Sequence, residues 1–364
     1  MINKDSMLLI GIGEAGGKVV SEILKKDSRY IGLFVNTSYK DILKLSNAKN
    51  IYTVPNADGT GRNRSKAQAY AKEYANSIID QIDRFPLQLQ IFVFFSYGGG
   101  TGSGISPILI RLLGKIRPNK VINIVGILPS FDESKKTKTN AIQCWNEISA
   151  TPNINLSFLL DNNKRENKED INIEFAERFN AMMDISKANN DSLTVIDSAD
   201  SEILISAKGS ASIYILPNKE RDAKVAIEKA IKDSIFADYS KDLCEYLAIS
   251  LLPNSELKRN NIVDYFQPSE DKFIEGCNKK YNLVVATGCD LELQRGAIEL
   301  LDVSLSESIV ERTKSSVRDL MVGEKKVNKP IKEESIHAEN IKQQEKNVDD
   351  ILKDDKLWDD IMNM

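Results

Sequence analysis

The sequence has a single histidine, His337, and four cysteines, none of which forms a Cys-x-x-Cys pair. Zinc sites are built from clustered cysteine and histidine side chains, so this composition argues against a zinc site. The cysteines also lack the dense spacing of a disulfide framework. We therefore expect a reduced, cytoplasmic protein. The cysteines are Cys144, Cys244, Cys277 and Cys289.

Long apolar runs and an excess of positive charge are also missing. No stretch is apolar for the roughly 20 residues that a membrane-spanning helix needs. The start, MINKDSMLLIGIGEAGG, lacks the basic and long apolar segments of a signal peptide, and we interpret it as leading into a first strand. The formal net charge is −4, so the chain lacks the net positive charge that is typical of nucleic-acid-binding proteins. We expect neither a membrane partner nor direct nucleic-acid binding.

What is present is the composition of a soluble globular protein and an alternation of predicted strands and helices. The chain has 364 residues, 41% of them hydrophobic and 28% charged, which is enough for two domains with cores. In its first part, short apolar runs that predict strands alternate with helical segments. This order predicts a doubly wound parallel sheet. The predicted strands span residues 7–12, 30–35, 90–95, 121–128 and 154–160, and the main helices span residues 18–26, 64–84 and 134–149.

The second part of the chain predicts a smaller α/β domain, a long helix and a tail. A helical region at 171–207 precedes predicted strands at 212–216, 246–252 and 281–287. Residues 290–322 contain no proline and one glycine, which favours one long helix. The charged tail ends in a segment with one possible apolar helical face, formed by Ile351, Leu352, Leu357, Trp358, Ile361 and Met362. The predicted units are 1–180 for nucleotide binding, 181–290 for the core helix and second domain, 291–322 for the long helix and 323–364 for the flexible tail.

Two glycine-rich turns follow predicted strands. The stretch FFSYGGGTGSGIS covers residues 94–106, and GIGEAGG covers 11–17. A strand, a glycine turn and a helix start bring backbone N–H groups together at an anion, most often phosphate. A tight connection without a ligand is the alternative interpretation of the first stretch. The chain has no G-x-x-x-x-G-K-[ST] motif, so several loops holding one nucleotide are favoured over a Walker site.

The turn GIGEAGG also fits the dinucleotide fingerprint G-x-G-x-x-G. A nicotinamide-binding fold places an acidic residue at the end of its second strand, whereas this chain has Asn36 there. A nicotinamide-dependent oxidoreductase therefore stays as a remote alternative. It leaves the longer glycine stretch without a role.

The stretch GGGTGSG at 98–104 resembles the signature loop of the tubulin/FtsZ family of self-assembling GTPases. Other loops of that family are recognisable in the same order. GIGEAGG resembles its first phosphate loop, FVNTS the second, ADGTGRNRSKAQAY the third, LPSFDESKK the sugar-binding loop and ERFNAMMDIS the guanine-reading helix. YNLVVATGC is similar to a strand of the second domain. The resemblance covers roughly residues 7–290 and implies a tubulin/FtsZ-like fold.

The resemblance implies binding of GTP or GDP together with Mg²⁺ held largely by phosphate oxygens and water. It places Glu133 at the ribose and Asn180 at the guanine. The residues implied at the nucleotide are Gly11, Gly13, Glu14, Ala15, Gly16, Gly17, Asn36, Asp58, Gly59, Thr60, Gly61, Gly98, Gly99, Gly100, Thr101, Gly102, Ser103, Gly104, Glu133, Asn162 and Asn180.

The sequence departs from the family pattern at two places. Val195 stands where the family usually has an asparagine, and Thr137 stands where FtsZ chains have an arginine in the sugar loop. Lys135, Lys136 and Lys138 lie beside Thr137 and are candidates to replace that arginine.

The segment DSADSEILISAKGSASI begins at Asp197. Taken alone, its Asp-Ser-Ala-Asp start is a typical helix N-cap. It also resembles the FtsZ segment whose two acids enter the site of the next subunit and position the water that attacks the γ-phosphate. The resemblance implies that Asp197 and Asp200 are catalytic and that the site is completed only in a polar filament of the chain with itself.

The long predicted helix is typical of the branch of this family that segregates plasmid and phage DNA. That branch implies a DNA-binding adaptor protein, which we expect the tail to contact. Docking of the tail on a neighbouring subunit and an inert solvated tail are the alternatives. An FtsZ-like role in cell division is the second functional reading.

Overall fold

A single hydrogen-bonded sheet organises the chain. The computed structural model describes residues 4–185, 198–237, 244–269, 272–274, 280–289, 292–316, 352 and 354–362. Its ten strands lie in the order β3-β2-β1-β4-β5-β6-β7-β10-β8-β9. The strands are β1 (Met7–Ile12), β2 (Ile31–Asn36), β3 (Asn50–Thr53), β4 (Gln90–Ser96), β5 (Val121–Leu128), β6 (Ile154–Asp161), β7 (Gly209–Leu216), β8 (Tyr246–Ser250), β9 (Lys272–Ile274) and β10 (Asn282–Cys289).

The sheet is parallel from β3 through β7 and becomes mixed beyond it. β10 pairs antiparallel with both β7 and β8, and β8 pairs parallel with β9. The register between β6 and β7 joins only two residue pairs, Leu156 with Gly209 and Ser157 with Ser210. The strands of the second predicted domain therefore continue the first sheet through a short seam.

Helices cover both faces of the sheet. They are α1 (Gly13–Lys26), α2 (Tyr39–Ile42), α3 (Arg64–Glu73), α4 (Ala75–Asp83), α5 (Thr101–Ile116), α6 (Lys135–Ser149), α7 (Lys168–Met183), α8 (Ser198–Ser206), α9 (Ala223–Lys232), α10 (Arg259–Phe266), α11 (Glu292–Ser316) and α12 (Asp355–Met362). None of the described helices is both long and apolar enough to cross a membrane.

The central strands are continuously apolar because both of their faces are covered. Alternate residues of β1 point into different clusters, Leu8 and Ile10 into one and Met7 and Leu9 into the other. The first cluster includes side chains of α3 to α6, and the second includes side chains of α1 and α7. A layer on each face is the doubly wound arrangement that the sequence predicts.

The predicted fold class is confirmed, with differences at helix ends and short strands. α1 begins at Gly13 and α5 at Thr101, so each takes in glycines that the sequence suggests are turn residues. The predicted helix at 64–84 is two helices, because the helical conformation is interrupted at Tyr74. β3 and β9 are only four and three residues long and carry too few residues for a periodic signal. The domain boundaries stay predictions.

Cys144, Cys244 and Cys289 are buried within the described residues, and Cys277 lies outside them. Burial raises the pKa of Cys244 to about 12 and the pKa of Cys144 still further. A thiol is nucleophilic only as the thiolate, so neither side chain is suited to covalent chemistry.

Gly16 allows α1 to lie directly against β4. A Cβ added at Gly16 would lie 2.0 Å from the carbonyl oxygen of Phe94. That oxygen belongs to the backbone of a central strand and has no room to move. The position of α1 on the sheet therefore depends on a missing side chain.

We expect Gly16→Ala to lower the free energy of unfolding by about 2 kcal/mol or more, because helix and strand must separate. Gly296→Ala is the matched control. Gly296 lies in α11 with nothing within 4 Å of an added Cβ, and the change should raise stability by about 0.5–1 kcal/mol. Urea unfolding of both variants measures the difference, and equal effects would contradict the packing described here.

Candidate functional site

A cleft of about 440 Å³ opens at the carboxyl ends of β1, β2, β4 and β5. Ligands of open parallel sheets bind at this edge, and the volume suits a nucleotide. It is lined by Ile12, Gly13, Glu14, Ala15, Lys18, Asn36, Thr37, Ser38, Asp41, Gly59, Thr60, Gly61, Arg62, Ser96, Gly98, Gly99, Gly100, Thr101, Gly102, Ile127, Glu133, Thr137, Asn162, Lys168, Glu169 and Asn172.

Two helix N-termini meet at the floor of the cleft. α1 begins at Gly13 and α5 at Thr101, and both first turns line the cavity. Gly13 has a φ of +73°, and a Cβ there would lie 3.2 Å from the nitrogen of Gly102. The first N–H groups of a helix have no partner within the helix and favour anions. Two such ends side by side form a cradle for phosphate groups.

The glycines of the 98–104 stretch have two structural roles: some allow close packing, and Gly99 lines the cleft. Added Cβ atoms at Gly98, Gly100 and Gly104 would meet Thr137, Thr60 and Ala67 at 2.1 to 2.5 Å. These three glycines allow α6, the third loop and α3 to pack closely against the stretch. At Gly99 the nearest protein atom would be 3.9 Å away, and Gly99 lines the cleft. Open space toward the cleft therefore accounts for part of the glycine density, and packing against neighbouring elements accounts for the rest.

The third loop closes over the cradle. Gly59 and Gly61 have φ of +74° and +57°, a backbone region that disfavours other residues. The Gly59 N–H donates to the carbonyl of Thr37 at 2.7 Å, which ties this loop to the second one. Lys136 donates to the carbonyl of Gly61 at 3.2 Å and so supports this loop without lining the cleft.

Asn36 shapes the second loop through its own side chain. Its amide oxygen accepts the backbone N–H of Thr37 at 2.8 Å and that of Ser38 at 3.2 Å. The Thr37 hydroxyl in turn lies 2.7 Å from that of Thr101, at the start of α5. Asn36 thus holds the loop beside the phosphate cradle, where a nicotinamide fold would use an acid to bind ribose.

The opposite wall of the cleft joins the sugar loop to the first turns of α7. Glu133 accepts a hydrogen bond from Lys168 at 2.7 Å, and both side chains line the cavity. Thr137 also lines it, with its N–H donating to Ser134 at the start of α6. Asn172 lies one turn further along α7 and presents an amide to the same space.

Asn180 does not line the cleft, so the described geometry does not support the guanine contact that the resemblance implied for it. Asn180 lies eight residues beyond Asn172 on α7, about 12 Å along the helix. Its amide oxygen accepts from Lys4 at 2.5 Å, and Lys4 also pairs with Asp27 and Asp184 at 2.9 Å. This buried cluster joins the chain start to α1 and α7. The asparagine of α7 that lines the cleft is Asn172.

Fourteen of the implied residues line the cavity, and six others besides Asn180 do not. Gly11, Gly16, Gly17, Ser103 and Gly104 support the phosphate loops from outside the cavity, and Asp58 is exposed beside Lys40. The lining residues outside the implied set are Ile12, Lys18, Thr37, Ser38, Asp41, Arg62, Ser96, Ile127, Thr137, Lys168, Glu169 and Asn172. Most lie inside or beside the quoted motifs, whereas Lys168, Glu169 and Asn172 lie in the first turns of α7, where the sequence carries no motif.

The structure describes one of the two acids that the resemblance implies are catalytic. Asp200 lies within α8, and Asp197 and Val195 lie outside the described residues. α8 is not part of the cleft wall described above.

The sheet and its phosphate cradle define an α/β nucleotide-binding protein. The Tubulin/FtsZ family GTPase domain matches residues 6–168, and the C-terminal domain of tubulin-like protein TubZ matches residues 200–290. The tubulin-like protein TubZ of Clostridium botulinum C phage is 37% identical over 314 residues, which are 85% of each chain.

Solved structures agree with these matches. TubZ of Clostridium botulinum phage c-st, truncated at its C-terminal tail, superposes with a TM-score of 0.78 at 35% identity, covering 85% of this chain and 99% of that one. A GTPγS-form protofilament of Bacillus thuringiensis TubZ gives 0.71 at 13% identity, over 86% and 94%, and shows the shared fold. The chain belongs to the tubulin/FtsZ family of GTPases. This assignment removes the nicotinamide alternative.

We expect Gly99→Leu to weaken binding of guanine nucleotide roughly 100-fold or more, because the new side chain fills space that faces only the cleft. The thermal midpoint of the ligand-free protein should stay within a few degrees of the wild type. Calorimetric titration with GDP and thermal unfolding test the two statements together. Binding at wild-type affinity would show that the cradle is misplaced.

Proposed function

We propose that the chain polymerises head to tail with GTP and Mg²⁺ and hydrolyses GTP at the interface between subunits. The observation that carries the proposal is the position of α8 relative to the cleft. The cleft lies at the carboxyl edge of the parallel strands, and α8 lies at their amino edge.

Two observations support the position of α8. It ends at Ser206, just before β7, and β7 runs parallel to β6, so the chain enters β7 at the amino edge. Ser206 also accepts a hydrogen bond from Gln90, the first residue of β4, at 3.4 Å. The seven residues of β4 span about 23 Å at about 3.3 Å each.

That separation supports hydrolysis between subunits rather than within one. A residue that orients a water must be within about 3 Å of it, and an acid on α8 cannot reach the nucleotide of its own subunit over a strand length. A second subunit stacked on the cleft with its amino edge can place Asp197 and Asp200 there. Phosphoryl transfer needs an in-line water and charge stabilisation, so oriented carboxylates suit the task.

Within one subunit, the phosphates lie on the first turns of α1 and α5. Glu133 takes the ribose and Asn172, in place of Asn180, reads the base. An amide offers both a donor and an acceptor, which can match the edge of guanine. Lys168 holds the Glu133 carboxylate at 2.7 Å and so orients it.

Mg²⁺ fits this cleft as a companion of the triphosphate. The hydroxyls of Thr60 and Thr101 line the cavity and are hard oxygen ligands. The nearby Glu14 carboxylate already pairs with Lys18 at 3.0 Å. The ion would supply charge neutralisation at the phosphates, with water and phosphate oxygens as its other ligands.

The cellular role that we propose is segregation of plasmid or phage DNA. It is supported by the match to TubZ of a Clostridium botulinum phage and by the long helix α11 (Glu292–Ser316). A relative from Bacillus thuringiensis that shares the fold was solved as a protofilament. We propose a DNA-binding adaptor protein that contacts the C-terminal tail, and no direct contact of this chain with DNA.

Asn172→Ala should weaken GTP binding about 10- to 100-fold, because the base loses a hydrogen-bonding partner. Asn180→Ala is the control from the same helix, and it should leave GTP affinity unchanged while lowering stability. Competition between GTP and ATP should favour GTP in the wild type and lose that preference in Asn172→Ala. If Asn180→Ala shows the loss and Asn172→Ala does not, the base has been placed wrongly.

Asp200→Ala should bind GTP normally and assemble, yet release phosphate roughly 100-fold more slowly. Its filaments should persist because they keep GTP. Glu202→Ala removes an exposed acid from the same helix and should turn over GTP as the wild type does. The proposal fails if Asp200→Ala filaments hydrolyse GTP at the wild-type rate.

A further inference from the structure

The C-terminal helix α12 (Asp355–Met362) packs on its own chain, against α5. The surface that receives it carries Lys72 from α3 and Arg111 and Lys115 from α5. We call this surface the tail groove. It lies on the flank of the nucleotide-binding half, away from the cleft, and none of its three basic residues lines that cavity.

One face of α12 is apolar and buried. Leu357, Trp358 and Ile361 are buried with Leu352 in the same cluster as the side chains of α5, and Ile361 is 1% exposed. Met362, the next residue, is 40% exposed. The Trp358 indole N–H donates to the carbonyl of Leu352 at 2.7 Å, so its polar group is satisfied. The sequence-predicted face is therefore correct except at Met362, and Ile351 lies outside the described residues.

Basic side chains of the tail groove contact the C-terminal end, the tryptophan ring and an acidic side chain of α12. Arg111 donates to the carbonyl of Ile361 at 2.6 Å, at the C-terminal end where a cation is favoured by the helix dipole. Lys72 lies 5.6 Å from the centre of the Trp358 ring. Lys115 lies 3.8 Å from the Asp360 carboxylate.

Arg111 indicates that the groove is built for this helix. Its guanidinium is 5% exposed and also donates to Thr151 and to the carbonyl of Glu147. A buried cation needs its donors satisfied, and Ile361 supplies one of three acceptors. α12 has only eight residues, and helices that short are unstable alone in water. The helix α12 therefore needs the groove to stay folded, and Arg111 needs α12 for one of its acceptors.

We propose that the tail groove is a reversible docking site that holds α12 on its own chain and withholds the Leu357, Trp358 and Ile361 face from other proteins. A partner that binds this face must compete with the groove, and its apparent affinity falls by the fraction of tails that are free. Such a partner should itself offer an apolar groove with basic residues. The inference goes beyond GTP hydrolysis and does not depend on it.

Hydrogen exchange of the full-length, ligand-free chain tests the docking. Amides of residues 355–362 should be protected in the wild type. Ile361→Asp should raise their exchange rates roughly tenfold or more, because a charge cannot be buried in the apolar cluster. Met362→Asp makes the same change one residue later on the exposed side and should keep most of the protection. It controls for the helix propensity of aspartate.

Trp358 gives a second readout in a Trp145→Phe background, where it is the only tryptophan. Its emission should be blue-shifted and poorly quenched by acrylamide, and Ile361→Asp should reverse both. The signal should be independent of protein concentration. Protection that disappears on dilution would show docking on a second copy and overturn the proposal, as would equal exchange in Ile361→Asp, Met362→Asp and the wild type.

Discussion

The close approach of two helix N-termini over one parallel sheet is the constraint on which the rest of the structure depends. α1 can lie on β4 only because Gly16 has no side chain against the Phe94 carbonyl. α5 starts close beside it, because a Cβ at Gly13 would lie 3.2 Å from the Gly102 nitrogen and one at Gly102 would lie 3.1 Å from the Ile12 carbonyl oxygen. The positive ends of both helices then point into the same cleft. The other loops, from Asn36 to Glu133, are arranged around this pair of helix ends.

The sequence predicted what produces a strong local signal. Continuous apolar runs located the buried strands, and the glycine turns located the phosphate cradle. The helix starts within the glycine stretches could not be predicted, because Gly102 and Gly104 join α5 through packing against β1, β4 and α3 rather than through helix propensity. Asn172 was missed because resemblance along a helix does not fix which asparagine faces the ligand. The Lys4 cluster that occupies Asn180 joins residues 176 positions apart and leaves no local pattern.

The length of the sheet separates the nucleotide cleft from the acids proposed to act in hydrolysis. The cleft and α8 lie at opposite edges, about 23 Å apart along β4. Under the proposed mechanism, a monomer binds a nucleotide and lacks the acids to act on it. Hydrolysis would then report assembly, because a stacked subunit would complete the site. The tail groove lies on a third surface, so docking of α12 need not block either edge and leaves the chain free to regulate access to its tail separately.

The most direct test of the central claim is complementation between two inactive variants. Gly99→Leu cannot hold nucleotide but keeps its α8 acids, whereas Asp200→Ala holds GTP but lacks one acid. Neither variant alone should release phosphate at more than a few per cent of the wild-type rate. In a mixture, Gly99→Leu subunits stacked on Asp200→Ala subunits should restore phosphate release, with a maximum near equal amounts of the two. A mixture as inactive as its separate components, under conditions where both variants are found in the same polymer, would contradict hydrolysis across the subunit boundary.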